Sequence, residues 1–173
     1  MADTVTYTPI ATNTLSSAAA SVTFSSIPGT YKDLVLVVTG IGVTGTTFPW
    51  MRFNGLSTSI YSDSSLYGDG TSAGSGRRTA NSRGYLAENV QMATTQIGNI
   101  LVNIMNYSNS TTYKTWLSRN NNQETGTYVG TEAIVGLAQL TAAITSITIG
   151  TASSGTDYNF ATGSTFTLYG IGA

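Results

Sequence analysis

The chain has 173 residues, with seven Lys or Arg, eight Asp or Glu, no His and no Cys, for a net charge of −1. The missing His and Cys exclude an imidazole base, a Ser-His-Asp triad, a thiolate nucleophile, a disulfide and a Cys/His zinc site. A charged fraction of 9% leaves no basic face for phosphates, so no nucleic-acid partner is expected. No apolar run approaches the ~20 residues of a membrane helix, and Met1-Ala2-Asp3-Thr4 lacks the cationic start of a signal peptide, so no membrane partner is expected either.

Polar and apolar residues mostly alternate with period two, the mark of half-buried strands. Residues 5–10 read as a weak first strand. Residues 12–20 are small and polar apart from Leu15, and fit either a connector or an arm laid on a neighbour. Residues 21–24 alternate cleanly, Pro28-Gly29 supplies a turn, and residues 33–39 form a continuous β-branched and Leu run suited to burial on both faces. Residues 50–53 form a short strand, and Asn54-Gly55 after them is a strong hairpin signal. Residues 57–67 fit one helical turn or a strand. Residues 68–84, rich in Gly, Ser and Arg, read as one long loop, which in a compact domain is commonly functional or disordered.

Further strands are expected at 98–107, 112–118, 127–137, 146–149 and 165–168. Asn120-Asn121-Asn122, residues 150–155 and Ala161-Thr162-Gly163 read as turns between them. The stretch 15–24 echoes 140–149, which predicts two strands in equivalent places of two sheets. Eight or nine short strands with frequent turns predict an all-β sandwich or barrel. Residues 1–20 are then an arm, or a first strand and connector, and 21–173 a single sandwich domain.

Carboxylates are the only acid/base candidates. Two of Asp63, Asp69 and Glu88 could flank a glycosidic bond, but eight carboxylates over 173 residues make chance proximity the stronger reading, and no enzymatic activity is expected. Asp63, Asp69 and Asn54 offer hard oxygens for calcium. The EF-hand spacing is absent, however, and Asp beside Gly is ordinary turn chemistry, so no metal or other cofactor is expected. Gly68-Asp69-Gly70 and Gly74-Ser75-Gly76 lack the Gly-Lys-Ser/Thr step of a phosphate loop.

Arg77, Arg78 and Arg83 place three of the seven cations within seven positions. They suit an acidic patch on a partner or a host glycan, or else a solvated loop tip. Tyr67, Tyr85 and Tyr107 stand beside loops, and amphipathic rings are enriched at interfaces. These six residues form the candidate interaction set. Ser (20) and Thr (30) replace the missing charge. A near-neutral, hydroxyl-coated surface tolerates close association, so a subunit packed against others is expected, as a homo-oligomer or in a lattice.

Several segments carry a family resemblance: Tyr7-Thr-Pro-Ile-Ala-Thr, Ser21-Val-Thr-Phe-Ser-Ser-Ile-Pro28, Tyr31-Lys-Asp-Leu-Val-Leu36, Arg52-Phe-Asn-Gly55, Leu66-Tyr-Gly-Asp-Gly70, Ile104-Met-Asn-Tyr-Ser-Asn109, Thr112-Tyr-Lys-Thr-Trp116 and Ala142-Ala-Ile-Thr-Ser-Ile147. The end, Gly163-Ser-Thr-Phe-Thr-Leu-Tyr-Gly-Ile171, is the most characteristic. In this order the chain resembles a family of small tailed-bacteriophage virion structural proteins. The family pattern carries a Lys after the last Ile, where this chain has Gly172. The resemblance implies a jelly-roll-like antiparallel β-sandwich located in the virion, either as a capsid decoration or cement subunit or as a tail-fibre component. It carries over no catalytic motif. A tail fibre normally has a long trimeric stalk, which this sequence lacks, so cement that binds the major capsid protein or another virion protein is the expected role. The alternative is a tail-fibre or receptor-binding component whose 77–83 arginines contact host glycan.

Overall fold

The computed structural model describes residues 6–40, 42, 47–92, 94–122, 129–153 and 155–172. Among them the alternating segments become thirteen strands: β1 (Tyr7–Thr14), β2 (Ser21–Phe24), β3 (Asp33–Gly40), β4 (Phe48–Phe53), β5 (Tyr61–Gly68), β6 (Ala73–Asn81), β7 (Gly84–Tyr85), β8 (Gly98–Met105), β9 (Lys114–Asn122), β10 (Gly130–Ala138), β11 (Ile147–Ser153), β12 (Thr156–Tyr158) and β13 (Thr165–Ile171). They form two antiparallel sheets packed face to face. The large sheet has the order β1-β13-β3-β8-β9-β10-β5-β6, and the small one β12-β11-β4-β7 with β2 also on β11.

Eight of these strands make a closed pattern. β1-β13-β3-β8 lie over β2-β11-β4-β7, and the chain visits the two sheets in the order large, small, large, small, small, large, small, large. That is jelly-roll connectivity. β9, β10, β5 and β6 extend the large sheet beyond the small one.

The core follows from this overlap. Leu34, Leu36 and Val38 of β3, Ile100, Val102 and Ile104 of β8, and Phe166 and Leu168 of β13 are buried with Met51 and Phe53 of β4 and Ile147 and Ile149 of β11. Each such side chain stabilises the fold by roughly 1.5–3 kcal/mol through burial. Phe160 and Phe166 meet edge to face at 4.9 Å.

The extension has a different cover. Residues 84–92 cross beneath it as a largely irregular strap beside β4, with Leu86 N–H donating to Pro49 O (2.9 Å) and Met92 N–H to Thr47 O (2.9 Å). A strap without regular strand pairing leaves backbone groups that need partners. The large sheet supplies them from inward positions: Trp116 Nε1 donates to Tyr85 O (3.3 Å), Ser118 Oγ to Leu86 O (2.7 Å) and Asn120 Nδ2 to Val90 O (3.1 Å). The Glu132 carboxylate accepts from the backbone N–H groups of Glu88 (2.9 Å), Asn89 (3.0 Å) and Val90 (3.2 Å). Inward polar residues on β9 and β10 are therefore the strap's sockets.

Several expectations change. Residues 68–84 are not one loop. The tight turn 69–72 joins β5 to β6, and Asp69 Oδ1 caps it by accepting from Thr71 N (2.8 Å) and Ser72 N (2.6 Å). β6 lacks a hydrophobic alternation because it is an edge strand whose inward positions, Gly74 and Gly76, leave room for Tyr67 and for Ser65 with Asn89. Residues 57–67 end in strand β5, with no helix.

Asn120–Asn122 continue β9 instead of turning, since Asn120 faces the strap. Gly150 lies within β11 because the Trp50 ring occupies the space where a Cβ would stand, 2.2 Å from the nearest ring atom. The Asn54-Gly55 turn is present, with φ of 51° and 67°, but it leads from the small sheet toward the large one and closes no hairpin. The echoing stretches give β2 and β11, which pair directly in one sheet, Val22 opposite Ile149 and Phe24 opposite Ile147. Thr127 and Tyr128 of the expected 127–137 strand lie outside the described residues. Residues 7–14 are an edge strand hydrogen-bonded along β13, and Leu15 is buried in the core.

Candidate functional site

The outer face of the large sheet carries the residues that the core does not use. Strand register sets them in rows. One row runs Leu66, Ala133, Arg119, Leu101, Val37, Thr167, Thr12. The next runs Arg77, Ser64, Val135, Leu117, Asn103, Val35, Tyr169, Pro9. A third holds Ser62, Leu137, Thr115 and Met105, with Asp33, Ile171 and Tyr7 at its far end. The fourth is polar: Gly68, Thr131, Asn121, Asn99, Thr39, Thr165, Thr14.

Asp33, Arg77 and Arg119 are the charged side chains in these rows. Leu66 (68%), Val135 (59%), Tyr7 (53%) and Met105 (36%) expose large apolar surface on this face. Hydroxyl pairs Thr12–Thr167 (3.2 Å) and Thr14–Thr165 (3.1 Å) cover the β1 side. Shallow grooves of about 470 Å³ and 290 Å³ flank Arg119, the first reaching Leu66 and Ala133, the second Val37 and Leu101.

The six candidate interaction residues do not gather at one place. Arg77 points outward from β6, opposite Ser64. Arg78 points inward, its Nε donating to Glu88 Oε1 (2.6 Å) and its guanidinium stacking 4.2 Å from the Tyr85 ring centroid. Arg83 bonds Asp157 Oδ1 (3.0 Å) and lies 4.8 Å from the Trp50 ring, where Arg52 also approaches to 4.7 Å. Two of the three arginines are thus engaged within the protein. Tyr67 lies across Gly74 on the inward side of the hairpin. Tyr107 corrects the interface expectation: it is fully buried, its hydroxyl donating to Pro28 O. Tyr107 stands beside a loop, but its backbone O accepts from Ile144 N (2.9 Å) and its ring lies in the core.

The carboxylates separate likewise. Asp69 caps its turn. Asn54 Oδ1 accepts from Thr145 N (2.8 Å) and Ser146 N (3.1 Å) and holds the 143–146 loop. Asp63 lies six residues before Asp69, about 20 Å in an extended strand, so the calcium set does not assemble. Asp63 and Glu88 do meet. Asp63 is 4% exposed, and its Oδ2 accepts a long hydrogen bond from Tyr85 N (3.5 Å). Burial first, then the charge of Glu88 and a hydrogen bond to it, push the Asp63 carboxyl up to about 7, against the pull of Tyr85 N–H and Arg78. Carboxyls that flank a glycosidic bond stand roughly 5–9.5 Å apart. Asp63 is 4% exposed and the Glu88 side chain 8%, with Arg78 bonded to Glu88 Oε1, so the two carboxyls present no open cleft to a sugar.

Comparison with protein-family models, with curated proteins and with solved structures found no match. The outer sheet face was legible only in part. Alternation predicted which residues share a face, but the rows appear only once β5 and β6 join β10.

Proposed function

We propose that the protein is a structural docking subunit of a tailed-bacteriophage virion. In this reading it is a decoration or cement subunit that seats the outer face of its large sheet on neighbouring shell subunits. The observation that carries the docking part is this face: eight strands wide, nearly uncharged, with Leu66, Val135, Met105 and Tyr7 open to solvent. At strand spacings of about 4.8 Å and rows about 6.7 Å apart, it offers on the order of 700–800 Å². That is close to the ~800 Å² one partner contributes to a standard interface. The virion part rests on the family resemblance.

The mechanism is mechanical. A subunit that binds only the assembled shell stabilises it by mass action. The receptor-binding alternative keeps Arg77 as its outward arginine, since Arg78 and Arg83 bond Glu88 and Asp157. The test is incorporation of a Leu66→Glu/Val135→Glu variant into particles produced without the wild-type chain. The reading predicts a folded variant missing from purified particles. Full incorporation of that variant contradicts docking through this face.

A further inference from the structure

We propose that Asp63 and Glu88 form a one-proton latch that fastens the β5–β6 hairpin to the 84–92 strap. Asp63 belongs to β5, Arg78 to β6 and Glu88 to the strap, so this cluster joins three pieces of chain. Asp63 Oδ1 and Glu88 Oε2 are buried with no donor of their own, while Arg78, opposite Asp63 in the β5–β6 register, bonds Glu88 Oε1 at 2.6 Å and brings the two carboxyls to one guanidinium. Two ionised carboxylates and one guanidinium leave a net negative charge in a desolvated site. A single proton between the carboxyls supplies the missing donor and brings the cluster to neutrality.

The surrounding groups leave the proton as the remaining counter-charge. Arg78 of β6 already holds Glu88 Oε1. Glu132 of β10 is filled by strap N–H groups and by Asn89 Nδ2 (2.9 Å). Lys114 of β9 gives its ammonium to the carbonyls of Asn109, Thr112 and Thr141. Tyr61 of β5 is engaged with Phe53 N and Leu56 O, and the Tyr85 ring lies under Arg78. None of these supplies a further donor to the orphaned oxygens.

When solvent base removes the proton, two carboxylates face each other across the joint and the hairpin loosens. Leu66 and Arg77 sit on the outside of the same hairpin, so the loosening moves one end of the outer sheet face. The latch rests on this geometry and stands apart from the docking reading.

The test is amide hydrogen exchange of the full chain at pH 5.5 and 8.5, corrected for the intrinsic pH dependence of exchange. In the wild type, protection of β6 and of strap residues 86–90 is expected to fall at least tenfold at the higher pH, while β3 and β8 stay unchanged. Asp63→Asn and Glu88→Gln place a permanent donor in the joint, and their protection is expected not to change with pH. Unchanged protection in the wild type, or the same loss in a folded variant, overturns the latch. Should neither variant fold, carbon-13 titration of the wild-type carboxyls decides. One carboxyl of the pair titrating near neutrality supports the latch, and both titrating below pH 5 overturns it.

Discussion

Single residues decide which side chains fit on the inner face of the sheet. Gly136 is opposite Trp116 on the neighbouring strand, and a Cβ there would stand 2.0 Å from the indole. Trp116 is fully buried and packs edge to face on Phe53 at 6.1 Å, so it has nowhere to go. Gly136→Ala is expected to destabilise the protein by about 1–3 kcal/mol, read as a lower denaturant midpoint with an unchanged slope.

Asp63 sets a pH dependence of known sign. Its folded pKa, about 7, lies above its ordinary value of 3.8, so the folded state holds the proton more tightly. The stability this adds is complete below about pH 4 and is lost as pH rises through 7, at most roughly 4 kcal/mol. Thermal unfolding is therefore expected at a lower temperature at pH 8.5 than at pH 5.5, with the difference largely removed in Asp63→Asn. A flat profile in the wild type would contradict this assignment.

At the scale of elements, the two halves of the large sheet differ in what covers them. β13, β3 and β8 meet the small sheet and are apolar inward. β9, β10 and β5 meet the strap and carry Ser118, Asn120, Glu132 and Asp63 inward. This explains what alternation could and could not show. Alternation over 114–118 sets Lys114, Trp116 and Ser118 on one face of a strand, which is the buried face in the structure, but this partly polar face looks like a solvent face when the strap is unknown. β6 was invisible for the same reason: Gly74 and Gly76 carry no hydrophobic signal, and only pairing with β5 makes them strand.

Glu132 is the strap's main anchor. Glu132→Ala is expected to cost about 1–3 kcal/mol, since it strands the buried N–H of Val90 and the half-buried N–H groups of Glu88 and Asn89, and to free residues 86–92 for proteolysis before global unfolding. β1 is an edge strand, not a loose arm. Removing residues 1–14 is expected to lower the melting temperature by uncovering β13. An unchanged melting temperature would show that β1 adds nothing to the fold. The two edges of the large sheet carry interruptions that discourage sheet-to-sheet growth: Pro9 and a register shift in β1, and a shift near Ala80, φ 54°, where β6 meets β5.

For the whole molecule, a charged fraction of 9% resolves into a spatial pattern. Arg78, Arg83, Lys114, Glu132 and Asp63 are engaged within the protein, and the broad outer face keeps few charges. In the proposed docking role, this face is where the protein meets its neighbours. The most direct measurement is a cryo-electron microscopy map of purified particles. Docking through the outer face places density for the sandwich on the capsid lattice, with the outer sides of β9, β10 and β5 against the shell. A sandwich seated by its small sheet, or particles that lack the protein, would contradict it.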